Sequence, residues 1–167
     1  AVGVGVEYRV SKVALERNIS AINPFTLQVA DVGHIALNSD EINDDFGWNV
    51  GLMFRPSETW SVGVSYRAPI TIDYEGEADF QQISTGNAQF DGLVAAGFPP
   101  DQKIKTSVDF PGIASFGIAT TAIPTWTFEF DAVLMTWSEF ETLVVDFENP
   151  STPDLVNEEN WEDSWSY

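Results

Sequence analysis

Hydrophobic and polar residues alternate along most of the chain. From Trp60 to Phe80 every even position is apolar or glycine, among them Val62, Val64, Tyr66, Ile70, Ile72 and Tyr74, and no odd position holds a large apolar residue. Successive side chains of a strand point to opposite faces, so this alternation predicts a strand and excludes a helix. Its length is unusual. Globular strands run ~5–6 residues, whereas this stretch would reach ~70 Å at ~3.3 Å per residue. The same phase recurs in Val2, Val4, Val6, Tyr8 and Val10, in Phe46, Trp48, Val50, Leu52 and Phe54, and in Trp126, Phe128, Phe130, Ala132 and Leu134. A weaker version, Val108, Phe110, Ala114, Phe116 and Ile118, is interrupted by Pro111-Gly112.

The pattern predicts six strands, at about 1–17, 46–55, 59–80, 105–121, 125–147 and 161–167, the first and last cut short. Pro56 and Pro124 mark tight turns, and long loops are expected at 18–45, 81–103 and 148–160. Loops of that length are unusual in compact soluble domains. Short turns at one end and long loops at the other are the plan of outer-membrane barrels, with the apolar face toward lipid and the polar face toward the lumen. Trp60 and Trp126 follow the tight turns and Phe54 precedes one, where an interfacial aromatic belt belongs. Six strands do not close such a barrel, which takes at least eight, and lipid cannot satisfy an open edge. The expected fold is therefore all-β, a segment of an antiparallel up-and-down transmembrane barrel. The chain opens at Ala1-Val2-Gly3 in mid-strand and closes at Trp165-Ser166-Tyr167 in another, which predicts an internal piece of a longer protein.

Composition removes other classes. The 167 residues carry 7 basic and 26 acidic side chains, a net charge of −19, which argues against nucleic acid as a partner. There is no cysteine and a single histidine, His34, so neither a disulfide framework nor a thiolate metal site is available. No apolar run is long enough for a transmembrane helix. No nucleophile elbow is present, and Gly3-Val4-Gly5 lacks the rest of a dinucleotide loop, so the chain reads as a non-enzyme without cofactor or metal. On the polar face Glu7, Arg9, Arg67, Glu129 and Asp131 are expected to face the lumen, with Arg9 and Arg67 pairing with Glu7, Glu129 or Asp131. Asp73, Glu75, Glu77 and Asp79 read as a solvated acidic lumen. The acidic runs Asp40-Glu41 with Asp44-Asp45, and 146–163, lack EF-hand spacing.

A resemblance emerges from several stretches taken in order. Asp45-Phe46-Gly47-Trp48-Asn49-Val50-Gly51, then Val62-Gly63-Val64-Ser65-Tyr66-Arg67-Ala68, Phe110-Pro111 before Ala114-Ser115-Phe116-Gly117, and Trp126-Thr127-Phe128 leading to Thr136-Trp137-Ser138-Glu139-Phe140 resemble the bacterial long-chain fatty-acid transporters of the FadL type. The likeness covers nearly the whole chain. It implies a fourteen-stranded barrel in a Gram-negative outer membrane, monomeric, with an N-terminal plug, contacting lipopolysaccharide and passing long-chain fatty acids or other hydrophobic compounds. It also implies that two long extracellular loops form an apolar capture groove.

By order those loops are Asn18–Asp45 and Gln81–Lys103. The first offers Ile19, Ile22, Phe25, Leu27 and Val29. In the second, Phe90, Leu93, Val94 and Phe98 are spaced as on one face of a short helix, which Pro99-Pro100 would end. These nine side chains are the candidate ligand-binding set. The competing reading is a soluble lipocalin-like carrier, for which 167 residues would suffice and in which the even face would enclose an apolar ligand.

Overall fold

The computed structural model describes residues 1–39 and 42–167; Asp40 and Glu41, the head of the first acidic run, lie outside them. Among the described residues twelve strands form two six-stranded antiparallel sheets. The first contains, in spatial order, β1 (Val2–Ser11), β4 (Asn43–Ser57), β5 (Trp60–Arg67), β8 (Ile113–Thr120), β9 (Phe128–Met135) and β12 (Ser164–Ser166). The second contains β2 (Ala14–Ile22), β3 (Val29–Ser39), β6 (Ile70–Gln82), β7 (Gln102–Phe110), β10 (Thr142–Phe147) and β11 (Leu155–Glu158). The expected strands 1–17, 59–80, 105–121 and 125–147 each divide between one strand of the first sheet and one of the second, whereas 46–55 and 161–167 hold β4 and β12 alone; strand neighbours keep the same order in both sheets. The whole is an all-β curled half-barrel. No described helix is long and apolar enough to cross a membrane.

Three sequence expectations need correction. The 59–80 strand is two strands, because Pro69 lacks the N–H a ladder needs. Residues 18–45 are not one long loop: β2 and β3 form a hairpin across most of them, with a turn at 23–28. A register shift between Ile19 and Ser20 leaves Val32 without an opposite residue, and such a bulge inverts the phase of all that follows. Val32 and Ile35 are consequently both buried, and no simple alternation remains to be read. The loop expected at 148–160 contains β11, paired with β10.

Register sorts the first sheet's side chains into two continuous faces. Val4, Val50, Tyr66, Ala114, Leu134 and Trp165 stand opposite one another across all six strands. One residue along, the row reads Gly3, Gly51, Ser65, Ser115, Val133 and Ser166. The first row is the exposed apolar wall: Val4 is 77% and Trp165 57% accessible. Aromatics gather at both margins of this wall. Trp126 stacks on Phe128 near Trp60 at the turn end, while Tyr8 packs on Phe46 and Trp48 on Tyr66 at the other. Six residues from Trp60 to Tyr66 span ~20 Å, close to the ~25 Å apolar band of an outer-membrane barrel. A lipocalin would turn this face inward, so the soluble-carrier reading finds no support.

The second sheet reverses the arrangement. Here the even residues Ile72, Tyr74 and Ala78 are buried with Ile35, Leu37, Ile104, Val145 and Phe147, while Asp73, Glu75 and Glu77 are exposed. The Tyr74 hydroxyl donates to Ser11 Oγ at 2.8 Å, and Ser11 belongs to the small, polar face of β1. The core face of the second sheet therefore continues the concave face of the first. The acidic ladder lies on the opposite, outer side rather than in the lumen. Ser107 donates to Asp73 at 2.5 Å and Lys105 meets Glu75 at 2.6 Å; this pairing holds the Glu75 carboxyl below its usual range and the Lys105 ammonium above its own.

Gly76 marks the tightest approach between β6 and β3. It stands opposite Ser39, and a Cβ there would run into the Asn38 carbonyl oxygen, a backbone atom with no freedom to rotate away.

Two outcomes follow from this architecture. Val64→Lys places a charge on the lipid wall and should cost ~2–4 kcal/mol at mid-membrane, while Ser65→Lys on the concave face is tolerated; denaturant titration of the protein refolded in liposomes measures both. Gly76→Val should destabilise by ~1–3 kcal/mol through overpacking, read in the same titration. Equal stability of the Val64 and Ser65 variants would contradict the assigned faces.

Candidate functional site

The rim is built from the β2–β3 hairpin and the segment between β6 and β7. At the hairpin turn Phe25 N–H donates to the Asn23 side chain at 2.9 Å, and Leu27 takes a left-handed backbone with φ of 58°. Around this turn Ile22, Phe25, Leu27 and Val29 stand exposed, at 65%, 54%, 81% and 71%. Ile19, further down the same strand, packs against the core instead.

The second rim segment carries the expected helix, α1 (Ala88–Gly97). Asn87 caps it by accepting from the Gln89 and Phe90 N–H groups at 3.1 Å. Asp91 accepts from both hydroxyls of Ser84 and Thr85 and from the Thr85 N–H, and these bonds hold its carboxyl below the usual range. The loop is thus tied to its own helix. Phe90 is buried and anchors the helix, Val94 is half-buried, and Leu93 is exposed at 59%. Phe98 follows the helix in extended conformation and packs edge-on to Phe80 at 6.3 Å. Its ring lies over Gly33, where any Cβ would collide with it, and Gly33 pairs with Ile19. The structure therefore gathers Phe98 and Ile19 at β3, and presents Ile22, Phe25, Leu27, Val29 and Leu93 to the surroundings.

On the concave face, Glu7 accepts from Arg9 Nη2 at 2.8 Å and lies 3.5 Å from Arg67 Nε. One carboxylate thus serves both guanidinium groups. Glu129 and Asp131 do not join this cluster; they line an open trough of about 780 Å³ together with Gly51, Ser65, Ser115 and Gly117. A second hollow of about 440 Å³ extends past Asn49 to Arg67. His34 lies on β3, not in a loop, with Nδ1 3.1 Å from the Asn18 side-chain oxygen and Nε2 3.9 Å from Glu16. No cluster that could hold a metal occurs among the described residues.

The sequence reading missed one feature entirely. An apolar cavity of about 210 Å³ sits on the core face of the second sheet, walled by Leu15, Leu37, Tyr74, Ile104, Leu143 and Val145, with Phe140 closing one side. Phe140 comes from the segment between β9 and β10, which begins with a 3-10 turn at Trp137–Glu139, and its ring packs edge-on to Trp161 at 5.2 Å. The available signal was the apolar even series through Tyr74 and Ala78, which the continuous-strand reading assigned to lipid.

Against known proteins the fold is recognisable. The structure is similar to a Pseudomonas aeruginosa FadL homologue (TM-score 0.75, 15% identity, covering 98% of this chain and 40% of that one). It is similar to the Ralstonia pickettii toluene transporter TbuX (0.67, 16%, 98% and 45%) and to the CymD monoaromatic hydrocarbon channel (0.60, 18%, 98% and 48%). The chain spans less than half the length of each of these solved structures. No curated protein matches it in sequence. The family model for outer membrane protein transport proteins (OMPP1/FadL/TodX) matches residues 1–167, and by that match over its whole length the chain belongs to this family of Gram-negative outer-membrane β-barrels.

Proposed function

We propose that this chain forms part of the wall and rim of a passive channel for hydrophobic compounds, long-chain fatty acids or molecules of similar apolar character. The observation that carries the proposal is the inversion of faces between the two sheets. At the level of lipid, apolar side chains point outward and the concave side is small and polar. Beyond it, the apolar side chains point inward and acids point outward. A hydrophobic molecule arriving through water therefore meets apolar surface at the rim and again inside the second sheet.

The rim supplies capture. Ile22, Phe25, Leu27, Val29 and Leu93 are exposed apolar groups on a capped, hydrogen-bonded framework, which limits the ordering cost of binding. Burying one such side chain against a ligand contributes ~1.5–3 kcal/mol. We read the process as transfer without chemistry, driven by consumption of the compound inside the cell. The Glu7, Arg9 and Arg67 cluster is the proposed polar marker of the lumen, and lipopolysaccharide the proposed neighbour of the outer acidic face, with one barrel acting as one unit.

The test is uptake of radiolabelled oleate and toluene by cells lacking their own transporters of this family and expressing the native protein. Uptake of at least one compound above the empty-vector level is expected. Leu27→Glu combined with Leu93→Glu should lower uptake at limiting concentration about tenfold or more, since ~1.4 kcal/mol of lost capture energy already gives that factor. Uptake indistinguishable from empty vector for both compounds would refute the proposal.

A further inference from the structure

We propose that Phe98 and Gly33 form a ring-in-notch joint that fixes α1 at the rim in the orientation capture needs, which makes both of them positioning residues. The proposal rests on the capture role proposed for the rim and names the contact on which that role depends.

The two ends of α1 are held by different means. At the first turn Asn87 caps the helix, and Asp91 is bonded to Ser84 and Thr85. The Gln82 side-chain amide donates to the Asp91 carbonyl at 2.8 Å, the Ile83 N–H donates to the Val32 carbonyl at 2.9 Å, and Phe90 is buried. The last turn, Val94-Ala95-Ala96-Gly97, has no polar side chain. Its carbonyls would ordinarily be met by N–H groups just beyond the helix. Here Phe98 is extended, and Pro99 and Pro100 have no N–H to give. Among the described residues no hydrogen bond ties 92–99 to the strands.

The position of this half of the helix is therefore left to the Phe98 ring. It lies over Gly33, and a Cβ on Gly33 would collide with its far edge. It meets Phe80 edge-on at 6.3 Å, and Phe80 in turn packs at 6.0 Å against Phe147, which is buried in the core. Asp101, beyond the two prolines, accepts from the Phe80 N–H at 2.7 Å. One residue of β6 thus receives both the ring before the prolines and the carboxylate after them. A glycine inside a strand weakens it and marks a close approach of another group; on β3 that group is the Phe98 ring. Apolar contact is non-directional, so the fit of ring to notch, rather than a bond, sets where the second half of α1 lies. With it is set where Leu93, 59% exposed, is presented.

The experiment measures the concentration dependence of oleate and toluene uptake by cells lacking their own transporters of this family and expressing the native protein, with heat-modified gel mobility confirming a folded barrel. Gly33→Ala and Phe98→Ala should each raise the half-saturating concentration of the compound taken up about tenfold, the factor that loss of one apolar side chain from the ligand contact brings. The maximal rate should stay unchanged. The double variant should be no worse than either single one, because both break the same contact. Leu93→Ala should raise the half-saturating concentration by itself but add nothing to Phe98→Ala. A nitroxide on Ala95→Cys, at an exposed position of α1, should give a broad electron paramagnetic resonance line in the native background and a mobile component with either substitution. An unchanged nitroxide spectrum would overturn the joint. A mobile spectrum with unchanged half-saturation would overturn its role in capture. Additive effects of the two substitutions, or a fall in maximal rate alone, would assign Phe98 and Gly33 to barrel stability and overturn the proposal. Should Gly33→Ala fail to fold, Phe98→Ala decides, since Phe98 is only half-buried. Uptake of neither compound by the native protein would remove the capture reading and this role with it, while the nitroxide still reports whether the joint exists.

Discussion

The constraint on which the rest depends is that a bilayer offers no hydrogen bonds. Every backbone N–H and C=O at the level of hydrocarbon must be satisfied within the protein, and for strands this means pairing on both sides. The first sheet meets the demand internally: β4, β5, β8 and β9 each have a neighbour on either side. Its outer strands, β1 and β12, do not. The solved barrels to which the structure is similar are more than twice as long, and in such a barrel those edges have partners. Everything else about the first sheet follows from this closure. The side chains that face outward have no polar backbone to contend with and are apolar, and those that face inward are small enough, as in the row Gly3, Gly51, Ser65 and Ser115, to leave a trough along the axis.

A barrel that projects beyond the bilayer has to change solvents partway along each strand. Among the described residues this chain does so with a break at five crossings between the sheets, at Lys12-Val13, Ala68-Pro69, Pro111-Gly112, 136–141 and 159–163. The breaks allow the pleat to turn over. On the lipid side of Pro69, Val64 and Tyr66 are exposed; on the other, Ile70 and Ile72 are buried at 5% and 1%. The same binary pattern thus produces opposite burial on the two sides of one proline, because the surroundings change from hydrocarbon to water. The charge distribution agrees. Asp73, Glu75 and Glu77 fall on the watery outer face, where the acid-rich balance of the chain costs little.

How much of this was legible in the sequence differs by element. The first sheet was nearly transparent, since a two-sided membrane strand has the cleanest alternation a sequence can show. The number of long strands and the turn end were legible for the same reason, and α1 from the helical spacing of Phe90, Leu93 and Val94 with Pro99-Pro100 marking its end. The β2–β3 hairpin was not, because the bulge at Val32 shifts phase within a single strand. Pro69 falls among the odd positions of what reads as one continuous strand; only the structure shows that it separates two strands with opposite burial. Of the candidate ligand contacts, the exposed hairpin residues were legible as apolar residues in an expected loop. Phe90 was picked by the same spacing but anchors the helix, since helical periodicity identifies the buried face, not what it is buried against. The cavity depended on Leu15, Leu37, Tyr74, Ile104 and Leu143 coming from five strands, plus Phe140 from a sixth segment, and no local pattern encodes that.

The two kinds of apolar surface described here have different consequences for selectivity. The rim residues Ile22, Phe25, Leu27, Val29 and Leu93 are exposed and enclose no defined shape, so in the proposed capture step they would discriminate by hydrophobicity alone. Capture at the rim, on the proposed reading, would therefore be broad, and the hollow on the core face, open on the side of Leu15, adds apolar surface of more defined shape. The polar cluster of Glu7, Arg9 and Arg67 lies on the concave face of the first sheet, outside the cavity lining. The arrangement separates the cationic groups, held on the concave face of the first sheet by Glu7, from the apolar surfaces of the rim and of the second sheet's core face.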